Sequence, residues 1–364
     1  MITVGANRLR AFVTDIFAAA GCSQAEAQQV ALSLVGANLT GHDSHGVVRM
    51  PRYVQQQKDG IVVAGRTVKV VSETPVLAVL DADYGYGPWV TPQAVELGIR
   101  KAKAMGLACI AMRNAGHVGR VGQWAEQAAA AGLVSMHWVN ASGSVLVAPY
   151  GGVERRLSTA PHTIGVPRPG AEPLILDFAT SKVAEGKVLV ASQGGKPLPD
   201  DALVEPDGSL TGDPRALYGN YQQLGGRDYK LGTGAIRAFG DHKGSGIAFM
   251  AELLGGALTG TGGTSLDRGR FANGMLSIYI DPARLDPDGF FPADVQRYTA
   301  FFKSSKPITP GGEVLVPGES ETRMRQKCEA EGVPIPDDTW AAIVKTARGV
   351  GVDERKIQSA VLSP

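Results

Sequence analysis

The hydrophobic period of this sequence changes twice, and those changes limit the folds open to it. Over residues 7–20, Leu9, Phe12, Ile16 and Phe17 recur at near-helical spacing. Gly21 ends that helix, and Ser23 with Glu26 forms a capping box for a second one reaching about residue 39. A short helix is expected over 51–59, then β-branched strands over 68–71 and 76–80. From about Asp81 the texture alternates. Helices are expected over 91–105, with Pro92 in the first turn, and over 121–131 and 244–258. Strands are expected over 109–112, 133–139, 174–176 and 274–280, and residues 194–241, rich in Gly, Pro and Asp, read as mostly loop. After residue 285 the pattern returns to helices over 292–302, 320–330 and 337–349. Helical ends around an alternating centre predict an α/β fold class. In it, a mainly helical domain of residues 1–80 plus 285–364 carries an inserted α/β domain of residues 81–284.

Composition narrows the function. The 364 residues are 44% hydrophobic and 20% charged, with a formal charge of +1, values of an ordinary soluble domain. No basic block interleaved with aromatics appears, so no nucleic-acid partner is expected. No apolar run is long enough to span a membrane, and residues 1–5 lack a signal-peptide layout. Three widely separated cysteines, Cys22, Cys109 and Cys328, fit reduced thiols and a cytoplasmic location.

The richest chemistry lies in Gly41-His42-Asp43-Ser44-His45-Gly46-Val47-Val48-Arg49, which holds two of the six histidines. Imidazole moves protons near neutral pH, and arginine grips a carboxylate at two points. An imidazole four residues from an arginine points to work on a small organic acid. A glycine-rich stretch, Asn114 to Gly122, carries Gly116, His117, Gly119 and Arg120 between an expected strand and helix. It reads as a phosphate-binding turn, since amides at a helix N-terminus favour anions. No strict GxGxxG or P-loop occurs: Gly85-Tyr86-Gly87 and Gly232-Thr233-Gly234 lack the third glycine. Asp177, ending the strand over 174–176, is placed to meet ribose hydroxyls or to cap a helix. Asp241-His242-Lys243-Gly244 precedes an apolar helix, with Lys243 a candidate anion contact. Glu319 and Glu321 open the helix expected over 320–330. His42, Asp43 and His45 could serve as metal ligands, but HExxH, HxH and CxxC patterns are absent and no metal is expected.

These segments, GHDSHGVVR at 41–49, GHVGRVGQWAEQAAAAG at 116–132, VAPYGG at 147–152, LDFATS at 176–181, HKGSGIAFMAELLGGALTG at 242–260 and PGESE at 317–321, resemble the malate/L-lactate dehydrogenase family of non-Rossmann, nicotinamide-dependent 2-hydroxyacid dehydrogenases. The resemblance implies that His45 is the catalytic proton donor and acceptor beside the cofactor, with Ser44 and Asp43 orienting it. It implies that Arg49 holds the substrate carboxylate and that Thr159 is a substrate contact. Cofactor contacts would come from Gly119, Arg120 and Val121, and from Ile175, Leu176, Asp177, Phe178 and Ala179. Further contacts would come from His242, Lys243, Asn273, Gly318, Glu319, Ser320 and Glu321. It further implies a homodimer and a small 2-oxo or 2-hydroxy acid substrate. Asp177, without a clear arginine for a 2′-phosphate, leans toward NAD over NADP. The stretch Leu157-Ser158-Thr159-Ala160-Pro161 departs from the family's glycine-threonine-asparagine-proline, and residues 215–240 look longer than usual. Lysine at 187, where imine-reducing members tend to place an acid, favours hydroxyacid chemistry. An NADPH-dependent cyclic-imine reductase and a metal-dependent hydrolase using His42, Asp43 and His45 are the alternatives.

Overall fold

A computed structural model describes residues 1–192, 194, 196–221, 227–267 and 269–360. The chain begins with β1 (Ile2–Val4), α1 (Ala6–Ala19) and α2 (Gln24–Leu39), then two 3-10 turns, Asp43–His45 and Val47–Arg49, and α3 (Met50–Lys58). There follow β2 (Lys69–Glu73), β3 (Leu77–Asp81), α4 (Gly87–Met105), β4 (Leu107–Ala115), α5 (Gly122–Ala130), β5 (Val134–Ser142), β6 (His162–Val166), β7 (Leu174–Phe178) and α6 (Glu185–Ser192). After β8 (Leu203–Val204), β9 (Leu210–Thr211), α7 (Arg215–Tyr218) and β10 (Ala235–Ile236) comes α8 (His242–Ala251), which runs into a π-helical stretch, Glu252–Ala257. The remainder is β11 (Ala272–Ile280), α9 (Pro282–Leu285), α10 (Phe290–Lys303), α11 (Glu319–Glu331), β12 (Val333–Ile335), α12 (Asp337–Gly349) and α13 (Glu354–Ser359).

The central sheet has seven strands in the order β2-β3-β4-β11-β5-β6-β7. Only β3 and β4, joined through α4, run parallel; every other pairing is antiparallel. The fold is therefore mixed α/β. β11 separates β4 from β5 although α5 links those two in sequence, so the local alternation did not foretell the strand order. α4 and α5 cover one face, where Ile99, Ala102, Trp124 and Ala128 meet Ile110, Met112, Val139 and Tyr279. The side chain after Val139 points the other way, as strand alternation requires. Asn140 there donates to Glu252 of the π-helical stretch at 3.2 Å.

A second apolar cluster joins both chain ends. Leu9, Phe12, Ile16, Leu34 and Met50 pack with Trp340, Ile343 and Ile357. β1 pairs antiparallel with β12, Val4 opposite Val333. Ser23 caps α2 by accepting the Glu26 amide at 3.2 Å. A third cluster, around Leu146, Val188, Leu203 and Leu217, supports α6 and α7.

Some elements depart from expectation. α4 starts at Gly87, so Pro88 holds the first turn and Pro92 sits in the second. β6 and α6 carried no clear period and were not expected; β6 is set by pairing with β5 and β7, not by its own pattern. The helix expected over 244–258 begins at His242 and widens to π geometry at Glu252. Of the loop expected over 194–241, residues 195 and 222–226 lie outside the described residues, and so does that part of the longer 215–240 region. Among the described residues no helix is long and apolar enough to cross a membrane.

Gly98 of α4 lets the helix lie on β11: a Cβ there would come within 2.3 Å of the Tyr279 ring. Helix propensity favours alanine over glycine by about 1 kcal/mol, but forcing a methyl against a buried ring costs about 1–3 kcal/mol. Gly98→Ala is expected to lower the urea midpoint. A raised midpoint would show that the ring has room to move.

Candidate active site

α2 delivers the histidine segment to a cleft. Asn38, buried in its last turn, accepts the Val47 amide at 2.8 Å and donates to Asp43 at 2.6 Å. One amide side chain thus pins both 3-10 turns, and Asp43 is spent on that brace. Ser44 Oγ lies 3.1 Å from His45 Nδ1, while the Ser44 carbonyl accepts Arg49 Nε at 2.5 Å. Backbone and side chain of Ser44 therefore orient the imidazole and the guanidinium together.

His45 stacks on His117, ring centroids 5.5 Å apart and planes nearly parallel at 14°. His117 Nδ1 in turn meets Tyr53 Oη at 2.6 Å. Desolvation in the cleft, reinforced by the charges of Arg49, His42 and Arg120, pushes the His45 pKa down to about 3. Burial, with Arg49 next, holds His117 well below the usual histidine range, and burial raises the Tyr53 phenol. Both imidazoles are therefore neutral near pH 7.

These groups open into a cavity of about 570 Å³ that also takes in Arg52, Thr159, Phe178, Ala179, Asn273 and Ser320. A neighbouring cavity of about 520 Å³ reaches past Ile175 and Gly318 to Arg168 and Arg325. Arg120, Asp177 and Glu321 line both, so the two form one groove. Gly119 and Val121 face the first part. Gly119 adopts a φ of 76°, the left-handed region suited to glycine, with open space where a Cβ would be. Among the described residues, no group accepts from the amides of Gly119, Arg120 or Val121.

Several expected residues have other occupations. The Arg120 side chain is almost fully buried and pairs with Glu126 at 2.8 Å, a carboxylate it shares with Arg325. Asp177 lies within β7 rather than at its end and accepts the Gly122 amide at 2.7 Å and Thr163 Oγ1 at 2.7 Å. It therefore caps α5, not the segment that follows it in sequence. Asn273 accepts the Val118 amide at 2.9 Å and donates to the Asn140 carbonyl at 2.7 Å, a brace beneath the glycine turn. Leu176, between inward neighbours on β7, points out and is 40% exposed. His242 and Lys243 lie exposed at the start of α8, His242 against Tyr150, and line neither cavity. Glu319 also lies outside both cavities; it pairs with Lys303 and with Arg323 at 3.1 Å. Glu321 meets His42 at 3.4 Å, and that contact brings its carboxyl down to about 2. Since Asp43 turns to Asn38, His42 to Glu321 and His45 to Ser44, the three do not converge. No group of three metal-ligating side chains occurs among the described residues.

Sequence reasoning missed Asn38, Tyr53, Arg52 and Glu185. Tyr53 stands four residues after Arg49, one helical turn on, which was the available signal. His117 was in view only as part of the glycine turn.

Residues 4–344 match the malate/L-lactate dehydrogenase family, and the chain belongs to it. It is a 2-hydroxyacid dehydrogenase, and the family implies a nicotinamide cofactor and a small hydroxy or oxo acid substrate. The chain is 36% identical over 362 residues to hydroxycarboxylate dehydrogenase B of Escherichia coli K12, covering 97% of this chain and 96% of that one. It is 30% identical to a Δ1-pyrroline-2-carboxylate/Δ1-piperideine-2-carboxylate reductase of Pseudomonas putida, over 93% and 94% of the two chains. A solved E. coli structure, provisionally described as a malate/lactate dehydrogenase, superposes with a TM-score of 0.92 at 34% identity over 100% of both chains.

His45, His117 and buried His137, whose pKa burial takes to about 3, give stability a defined pH slope. The unfolded chain binds protons at these sites below pH about 6.5, and the folded chain resists them until far lower. Stability is therefore fully present above 6.5 and falls as pH drops toward 3. The urea midpoint is expected to fall from pH 7 to pH 5, before ordinary carboxylates titrate. A flat profile over that interval would contradict the neutral, buried imidazoles.

Proposed function

We propose that this enzyme interconverts a 2-oxo acid and its 2-hydroxy acid with NAD, using His45 for the proton and Arg49 for the substrate carboxylate. The observation that carries the reading is the meeting of these two side chains in one cleft, oriented through one residue, Ser44. When bound, the nicotinamide supplies or accepts the hydride. The groove suits a dinucleotide: two joined cavities, a glycine turn with three amides unclaimed, and a helix N-terminus behind it. Those amides, rather than the Arg120 side chain, would hold phosphate. Phe178, Ala179, Ile175, Gly318 and Ser320 would line the remainder.

Neutral His45 is set to accept a proton from a hydroxyl, the direction needed for oxidation. An anionic substrate on Arg49 offsets one of the positive charges that depress it, easing protonation for reduction. Ser44 holds Nδ1 and leaves Nε2 for the substrate oxygen. His117, backed by Tyr53, limits how the ring can tilt.

The cofactor in this reading is NAD; Asp177, engaged by Thr163 and Gly122, supports it less than its position in sequence suggested. The separate apolar clusters are in keeping with a helical unit from both chain ends around an α/β one, but β2 and β3, within residues 69–81, belong to the central sheet, so the inserted unit starts before residue 81. A homodimer is supported by α10 and its flank, where Phe290, Phe301 and Ile308 are 68%, 68% and 103% exposed. The P. putida relative keeps cyclic-imine reduction as a second reading.

Reduced-nicotinamide absorbance with 2-oxo acids and cyclic imines, with and without chelator, separates these readings. His45→Asn is expected to lower kcat roughly 10²–10⁴-fold. Arg49→Ala is expected to raise KM, with about 2–5 kcal/mol of binding lost. Wild-type turnover in the first variant or an unmoved KM in the second would remove the assigned role. Sedimentation is expected to give two chains per particle, and a monomer at micromolar concentration would exclude the dimer.

A further inference from the structure

The clamp arginine has a resident carboxylate beside it. Glu185, the first residue of α6, brings one oxygen to 3.7 Å from the Arg49 guanidinium, and its other oxygen accepts Tyr218 Oη at 2.8 Å. Tyr218 is 1% exposed and packs in the cluster of Val188, Leu203 and Leu217, so it holds Glu185 in the cleft. On the other side, Gly186 lies so close to Ser44 that a Cβ would come within 2.6 Å of its side chain. Arg49, tied through Nε to the Ser44 carbonyl, is fixed from the same residue. Glu185, Ser44 and Arg49 are thus one rigid unit lining the cavity.

A substrate carboxylate on Arg49 arrives next to Glu185. Two carboxylates then share one guanidinium, and a third nearby would meet repulsion in a partly desolvated site. Arg52 and Lys187 also line the cleft, both solvent-exposed, and attract anions without regard to shape. Glu185 is the acidic group next to the clamp. Along a 2-oxo acid the C3 substituent is two carbons from C1, a reach comparable with the Arg49–Glu185 gap. A hydroxyl or ammonium there can donate to Glu185, whereas a carboxylate there faces it.

We propose that Glu185 determines side-chain specificity: it selects 2-oxo and 2-hydroxy acids whose C3 carries a hydrogen-bond donor and disfavours those whose C3 carries a second carboxylate. This inference rests on the 2-oxoacid reading above and on Arg49 holding C1. Glu185 acts by contact with the substrate substituent, not on the reacting atoms.

The test compares wild type, Glu185→Gln and Glu185→Ala with reduced NAD and hydroxypyruvate, pyruvate or oxaloacetate. Glutamine keeps the size and an acceptor for Tyr218, so it carries the test if the alanine variant does not fold. Wild type is expected to favour hydroxypyruvate over oxaloacetate. Glu185→Gln is expected to raise the oxaloacetate-to-hydroxypyruvate ratio of kcat/KM roughly tenfold, mostly through KM. A merely structural role would lower all three together and leave the ratio in place. An unchanged ratio, or a wild-type preference for oxaloacetate, overturns the inference while leaving the reaction standing. Turnover of none of the three by wild type overturns the reaction itself.

Discussion

The pairing of β11 with both β4 and β5 is the constraint on which the site depends. Its nine residues, almost all buried, lie at the middle of the sheet and bring together strands that α5 alone would not align. At its start, just before an irregularity in register, Asn273 takes the Val118 amide and gives to the Asn140 carbonyl. The sheet centre thereby fixes the glycine turn, and the turn fixes His117 behind His45. Bringing residues more than a hundred positions apart into one ladder carries a loop-closure cost that local pattern does not reveal.

Charge in the cleft is organised around neutral imidazoles. Desolvation first, and then the charges of Arg49, His42 and Arg120, keep His45 unprotonated. Glu126 is shared by Arg120 and Arg325, Glu321 meets His42 and Glu185 faces Arg49. Each carboxylate limits where positive charge is available in the cleft.

Much of the architecture was legible in sequence. The amphipathic period of α1, the Ser23 cap of α2 and the bounds of α12 follow from local chemistry. So did the pairing of His45 with Arg49, since four residues of compact backbone keep two side chains together whatever surrounds them. β6 and α6 were not legible, because neither has a decisive period and each is held by neighbours far along the chain. The roles of Asp177 and Arg120 were half legible: the residues do reach the groove, but Thr163, Gly122 and Glu126 claim them there.

The sequence by itself determined which chemistry was on hand: an imidazole, a nearby guanidinium and a glycine-rich turn at a helix start, each encoded within a few consecutive residues. Tertiary structure decided which groups work together. It brought Tyr53 and His117 behind His45 and set Glu185 against Arg49. It also turned Leu176 outward and left His242 and Lys243 outside the cleft. The physical reason is range. Caps, periods and turns are settled by neighbours within a helical turn, whereas burial, pKa and pairing depend on whatever distant segment the core brings alongside.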